Sequence, residues 1–192
     1  MADAKTESEI GPEAAGEAKP ARRRVTKRKA VEEHARSYFD ACARRDVDAM
    51  AEHWREDGVI DLVPIGVMRG LSEYRAFFRE LFAAFPELEI SVGRVVAGER
   101  QAAVEWRMSG PFSGSPFQEI EPTGKHVELR VLDLLEIEDG KIVSDTAYYD
   151  GMSFARQVGM MPPLDSGAER AVKGAFNAVT KLRKAVAERT GP

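Results

Sequence analysis

The residues best placed to do chemistry stand in EDGKIVSDTAYYDGM, residues 138–152. Asp145 is a lone carboxylate inside an alternating, largely apolar run. A buried acid must be paired, hydrogen-bonded or put to use in proton transfer. Asp139–Gly140 is a strong two-residue hairpin signal, because both turn positions take positive φ. Pairing Glu138 with Lys141 then sets Leu134 opposite Asp145, Leu132 opposite Ala147 and Arg130 opposite Tyr149, all on one face. Asp133 falls on the other face, opposite Thr146, with Val131 and Leu135 beside it. On this register Asp145 is the expected general base or acid, and Arg130 the cation that steadies developing negative charge. An apolar wall raises the pKa of such a carboxyl, and a nearby guanidinium lowers it. Tyr38 and Tyr149 are the candidate donors to an oxyanion.

The remaining candidates would line a binding cavity. They are Trp54, Asp61, Phe78 and Trp106, together with Leu132, Leu134 and Ala147 on the face just described. Asp61 sits on an early strand and is a second candidate acid, unless it is a strand-edge residue facing solvent. His34, His53 and His126 lack paired ligand spacing, so no metal site is expected. The glycines of GPFSGSPFQEIEPTGK lack phosphate-loop spacing, so no nucleotide and no cofactor are expected. Cys42 reads as a packed small side chain rather than a nucleophile.

The elements that must position these groups follow from periodicity. From Lys29, Val31, Ala35, Tyr38 and Cys42 recur at helical spacing. A second short helix is expected in DVDAMAEHW, with Val47, Met50, Ala51 and Trp54 on one face and His53 exposed. A strand from Val59 to Val63 follows, then an aromatic helix in LSEYRAFFRELFAAF that ends at Pro86. Alternation then predicts strands at about 88–97, 101–109, 125–137 and 141–150. The 16-residue link before His126 is long enough to act as a flap or rim. A short amphipathic piece follows Tyr149, and beyond Gly167 a last helix carries Val172, Phe176, Val179, Leu182 and Val186 on one stripe.

Composition narrows the class. The chain has 192 residues, 43% of them hydrophobic, and a net charge of −4. Residues 1–30 hold 8 basic and 5 acidic side chains, 31–165 hold 14 and 25, and 166–192 hold 6 and 2. An acidic body with basic ends argues against nucleic-acid binding by the body; weak attraction is left to the ARRRVTKRK run. A single cysteine allows no internal disulfide, and no apolar run reaches membrane length. A cytoplasmic location with no membrane partner is expected. Residues 1–28 have little to bury and are expected to be disordered, 29–163 form the domain, and 164–192 an amphipathic helix.

The order helix, helix, short strand, aromatic helix and antiparallel sheet is accompanied by AAFPELEI, VEWRMSGPFSG, PTGKHVELRVLDLLEIEDGKIV and YYDGM. Together these resemble the SnoaL-like polyketide cyclase branch of the nuclear transport factor 2-like superfamily, over roughly residues 29–163. The resemblance implies an α+β cone, a curved antiparallel sheet wrapped over N-terminal helices around an apolar pocket, and frequent homodimerisation through the sheet. It also implies a pocket carboxylate as general acid or base, in a pattern like W-x-D-Y-[FY]-D. The corresponding DTAYYD has Ala147 where that carboxylate stands and Asp145 two places earlier.

Three readings follow. The first is a cyclase, isomerase or hydrolase acting on an apolar or polyketide-like small molecule. The second is a non-catalytic cup for a small hydrophobic molecule. The third is a dimeric interaction module in which the basic ends do the work.

Overall fold

A computed structural model describes residues 18–190. Helix α1 (Ala18–Arg44) buries Val31, Ala35, Tyr38 and Cys42, the stripe expected from its spacing, and Phe39 besides. It starts at Ala18 rather than Lys29, so part of the stretch expected to be disordered is helical. Its Ala, Lys and Arg content is strongly helix-forming, and Arg24 pairs with Glu99 of the β3–β4 turn at 3.4 Å. The rest of that tail lies outside the described residues. Helix α2 (Val47–Glu52) is capped by Asp46, whose carboxylate accepts from the Ala49 N–H. Trp54 opens a strand rather than ending this helix.

Strand β1 (Trp54–Leu62) turns into β2 (Gly66–Arg69), a short edge strand that its composition does not reveal. Helix α3 (Gly70–Ala84) packs its aromatic face inward and stops before Pro86. Then come β3 (Glu89–Ala97), β4 (Gln101–Pro111), β5 (His126–Glu138) and β6 (Lys141–Tyr149), followed by α4 (Gly151–Val158) and α5 (Gly167–Thr190). The six strands make one sheet in the order β2-β1-β6-β5-β4-β3, with β1 and β6 parallel and every other pair antiparallel. The architecture is the expected α+β one, with a curved sheet over N-terminal helices and an added C-terminal helix.

The β5–β6 hairpin departs from the expected register, and the departure decides the site. Asp139 and Gly140 take φ 47° and 73°, and Glu138 pairs with Lys141 and Ile137 with Ile142. Beyond that, Glu136 pairs with Ser144 and Leu135 with Asp145, so Val143 is an extra residue in β6. This β-bulge shifts all later pairing by one residue. Asp133 therefore lies opposite Ala147, Val131 opposite Tyr149, and Leu134 opposite Thr146. The buried face of β5 carries Val127, Leu129, Val131, Asp133, Leu135 and Ile137. Arg130, Leu132 and Leu134 point the other way, correcting their expected place in the interior.

The link between β4 and β5 is fixed to the end of α3. Gly114 and Ser115 donate their N–H groups to Ala84 and Ala83 carbonyls, both at 3.0 Å. A Cβ on Gly114 would meet the Ala83 oxygen at 1.9 Å, so only glycine permits this approach. The contact brings Phe117 down into the interior, where it is buried.

Candidate active site

Between the sheet and helices α1 and α3 lies an apolar cavity of about 80 Å³. Its walls include Tyr38, Cys42, Phe78, Trp106 and Tyr149, and Phe117 and Phe154, whose rings meet, are part of the same lining. Two carboxyls face it. Asp133 and Asp145 are each 4% exposed and occupy diagonal positions on β5 and β6. They belong to a lining that otherwise offers almost only carbon, sulfur and aromatic surface.

Burial in that lining disfavours both charged forms. It pushes Asp133 up to about 7, against the opposing pull of the Trp106 indole and of Asp145. It pushes Asp145 well above the usual carboxylate range, and the charge on Asp133 pushes it further. Two adjacent buried carboxylates cannot both ionise cheaply, so the pair holds one proton through neutral pH, and Asp145 is its preferred seat. Oδ1 of each carboxyl and Nε1 of Trp106 have no hydrogen-bond partner, although each lies close enough to bias the proton. Buried polar atoms left open in this way are uncommon. They are free to meet a ligand.

Two tyrosines extend the polar group. The Tyr74 hydroxyl donates to that of Tyr38 at 3.2 Å. Burial pushes both phenols well above 10, with Cys42 and Asp145 adding to the effect. Tyr38 is thus a neutral O–H donor across the whole working pH range. Tyr149, at the end of β6, is pushed up to about 12 by burial and is neutral too. The Cys42 thiol is also pushed up by burial and stays protonated, lining the cavity rather than attacking within it.

Of the residues named from sequence, Asp145, Tyr38, Phe78, Trp106, Ala147 and Tyr149 line this cavity. Trp54 does not: it is buried behind the wall, 5.2 Å from the Tyr74 ring and 6.1 Å from that of Tyr38. Asp61 lies between Val67 and Thr146, on the opposite face of β1 from the buried Ile60 and Leu62. Arg130 sits on the outer face of the sheet and pairs with Glu105 at 2.9 Å. It cannot act on a charge inside the cone. Leu132 and Leu134 accompany it outside, 41% and 43% exposed.

The register expected from the Asp139–Gly140 turn puts Asp133 on the wrong side, yet the strand carries a signal. On β5 the odd positions from Val127 to Ile137 are apolar except for Asp133, whereas the even ones include His126, Glu128, Arg130 and Glu136. Counting both faces marks the odd one as core and Asp133 as its exception. Tyr74, Phe117 and Phe154 were likewise not assigned to the site; they come from helix and loop segments whose aim only packing fixes.

A SnoaL-like polyketide cyclase family model matches residues 32–158. The chain therefore belongs to the SnoaL-like polyketide cyclase family, a family with a small-molecule enzyme fold. Among solved structures it is similar to a candidate SnoaL-like polyketide cyclase from Jannaschia sp. CCS1, at 22% identity over 70% of this chain and 95% of that one, TM-score 0.64. It is also similar to AclR, a candidate hydroxylase from Streptomyces galilaeus, at 22% identity over 87% and 98%, TM-score 0.62. A candidate ketosteroid isomerase from Kribbella flavida DSM 17836 has 21% identity over 65% and 80%, TM-score 0.51. No curated protein matches the chain. Among the described residues, no helix is long and apolar enough to cross a membrane.

Proposed function

We propose that the protein is a proton-transfer enzyme acting on a small, largely apolar carbonyl compound, as a cyclase or isomerase does, with Asp133 and Asp145 as its acid–base pair. The observation that carries this reading is the placement of two carboxyls in one apolar cavity, each with an oxygen that no protein group satisfies. In the shared-proton state, Asp133 is the carboxylate that removes a proton from carbon beside the carbonyl. Asp145, still protonated, and the neutral Tyr38 donate to the enolate oxygen as charge develops there. The proton held on Asp133 then returns to the new position. The same pair can activate water, which makes hydrolysis a variant of this chemistry rather than a separate site.

The test is solvent-deuterium incorporation at the α-carbon of an aromatic ketone such as 2-tetralone, followed by NMR. Wild type should accelerate exchange, and Asp133→Asn and Asp145→Asn should each lower the rate on the order of 100-fold. A rate unchanged in either variant removes that carboxyl from the mechanism. A non-catalytic cup is the second reading, supported by Ala147, which stands where the family resemblance expects the carboxylate. It requires that 2-tetralone bind with no acceleration of exchange.

We also infer that the protein is a homodimer through the outer face of its sheet. Leu132, Leu134, Tyr148 and Val96 are 41–63% exposed there, and apolar side chains grouped on one sheet face favour burial against a second copy.

A further inference from the structure

Access to the carboxyl cavity raises a geometric question. About 80 Å³ is far below the ~300–1,000 Å³ of a typical small-molecule pocket, so a ligand can be admitted only if part of the wall moves. Phe154 of α4 forms part of that wall and meets the Phe117 ring at 6.4 Å. Two residues further, about 200° around the helix at 100° per residue, Arg156 points away from the cavity. It meets Glu169 in the first turn of α5 at 3.4 Å, and the two side chains are only 17% and 9% exposed.

Glu169 is built into its position. Its N–H donates to Ser166 Oγ at 3.0 Å, and its carboxylate accepts the Asp165 N–H at 2.8 Å, a reciprocal cap that fixes where α5 begins. Apart from the two cavity aspartates, Glu169 is the buried charged residue among those described. The rest of α5 projects outward with Val172, Phe176 and Leu182 exposed. Helix α4 is thus a single layer between the cavity and the root of α5. On its remaining side the Gln157 side chain joins the Glu128 backbone through two hydrogen bonds, 2.6 and 2.9 Å.

We propose that Arg156 and Glu169 are positioning residues for the cavity: by clasping α5 to the outer side of α4 they hold Phe154 in the wall, and so control how fast ligands are admitted and how large they can be. This rests on the reading of the cavity as a ligand site, but its test needs neither ligand nor turnover. Cys42 lines the same cavity, is the chain's single cysteine and is buried. Its reaction with the small neutral reagent methyl methanethiosulfonate therefore reports opening of the wall.

The full-length protein should label slowly, and Glu169→Gln, which keeps an oxygen to accept the Asp165 N–H while removing the ion pair, should label roughly tenfold faster. Phe154→Ala should label faster as well, and the double variant no faster than Phe154→Ala alone, since both act on one opening step. Lys173→Ala, which removes only the exposed outer partner of Glu169, should label as wild type does. The accelerated rates should not change in low urea, as expected of local opening rather than global unfolding. The proposal is overturned if Glu169→Gln labels at the wild-type rate, or if its acceleration rises with urea. Should that variant not fold, hydrogen exchange on the wild type decides: amides of residues 151–158 must exchange through an opening separate from that of β4 and β5, and exchange only by global unfolding overturns it. Failure of the proton-transfer reading would show instead as unchanged deuterium incorporation in Asp145→Asn, and it would leave the labelling rates where they are.

Discussion

Asp133 on β5 and Asp145 on β6 face one cavity because a single extra residue, Val143, interrupts the hairpin between them. An uninterrupted hairpin from Glu138–Lys141 would put Asp145 beside Leu134, on the opposite face from Asp133. The bulge reverses the pleat of β6 after Ile142, so Ile142 and Asp145 are both buried although three positions apart. A bulge beside a site, re-aiming one side chain, is a common use of this irregularity.

The pair fixes the form of the pH–rate profile. Asp133 must be ionised and Asp145 protonated, so kcat/KM for deuterium exchange should rise with pH through about 7 and fall again at higher pH as Asp145 loses its proton. Because the two carboxyls share a proton, the limbs belong to the pair. Asp145→Asn should remove the descending limb; a profile that stays bell-shaped in that variant would refute the assignment.

Stability should run in the opposite sense from most acidic proteins. Asp133 has a folded-state pKa raised from 3.8 to about 7, so between those values the folded state holds a proton that the unfolded state has released. Its contribution is complete below the unfolded pKa and diminishes as pH rises towards 7, by several kcal/mol at most. Asp133→Asn should therefore raise Tm at pH 7.5 by more than at pH 4. Equal shifts at both pH values would show that Asp133 is not protonated by burial.

The Trp106 indole opposes the burial effect on Asp133 and favours its carboxylate. Trp106→Phe keeps an aromatic wall and removes the N–H. The ascending limb should move to higher pH, on the order of half a unit to one unit for loss of a nearby N–H dipole that favours the charged form. A limb that moved to lower pH would contradict the geometry.

Tyr38→Phe deletes the donor that Tyr74 supports from behind. A loss on the order of 100-fold in kcat with little change in ligand affinity is expected if it serves the developing oxyanion. Tyr74→Phe should cost less, since it reaches the cavity only through Tyr38. A larger effect at Tyr74 than at Tyr38 would assign the contact the other way round.

The outer face gives a separate test. Leu134→Arg introduces a charge between Thr146 and Ala103, its cross-strand neighbours, on the face of the sheet opposite the carboxyls. Sedimentation velocity should show a dimer for wild type and a monomer for this variant, with the cavity's labelling and exchange rates retained. Wild-type protein that sediments as a monomer would exclude the sheet-mediated dimer.

Local sequence determined most of the fold. Helical and alternating periodicities, Pro86 and the Asp139–Gly140 turn act over a few residues, and the elements they marked recur with shifted ends, the largest shift being the start of α1 at Ala18 instead of Lys29. The family's order of elements supplied the cone. Asp145 was legible as an anomaly because one acid in an apolar alternation is visible in any single strand. Tertiary structure alone decided that the inner faces of β5 and β6 carry Asp133 and Asp145 together. Counted along the whole strand the odd positions of β5 read as core, but the register set by the turn puts Asp145 on the even side, and only the Val143 bulge reconciles the two. That choice moved Arg130 out of the site and brought Asp133 in. The physical reason is the two-residue side-chain period of a strand: a slip of one position leaves the backbone pairing almost unchanged but exchanges every side chain between cavity and solvent.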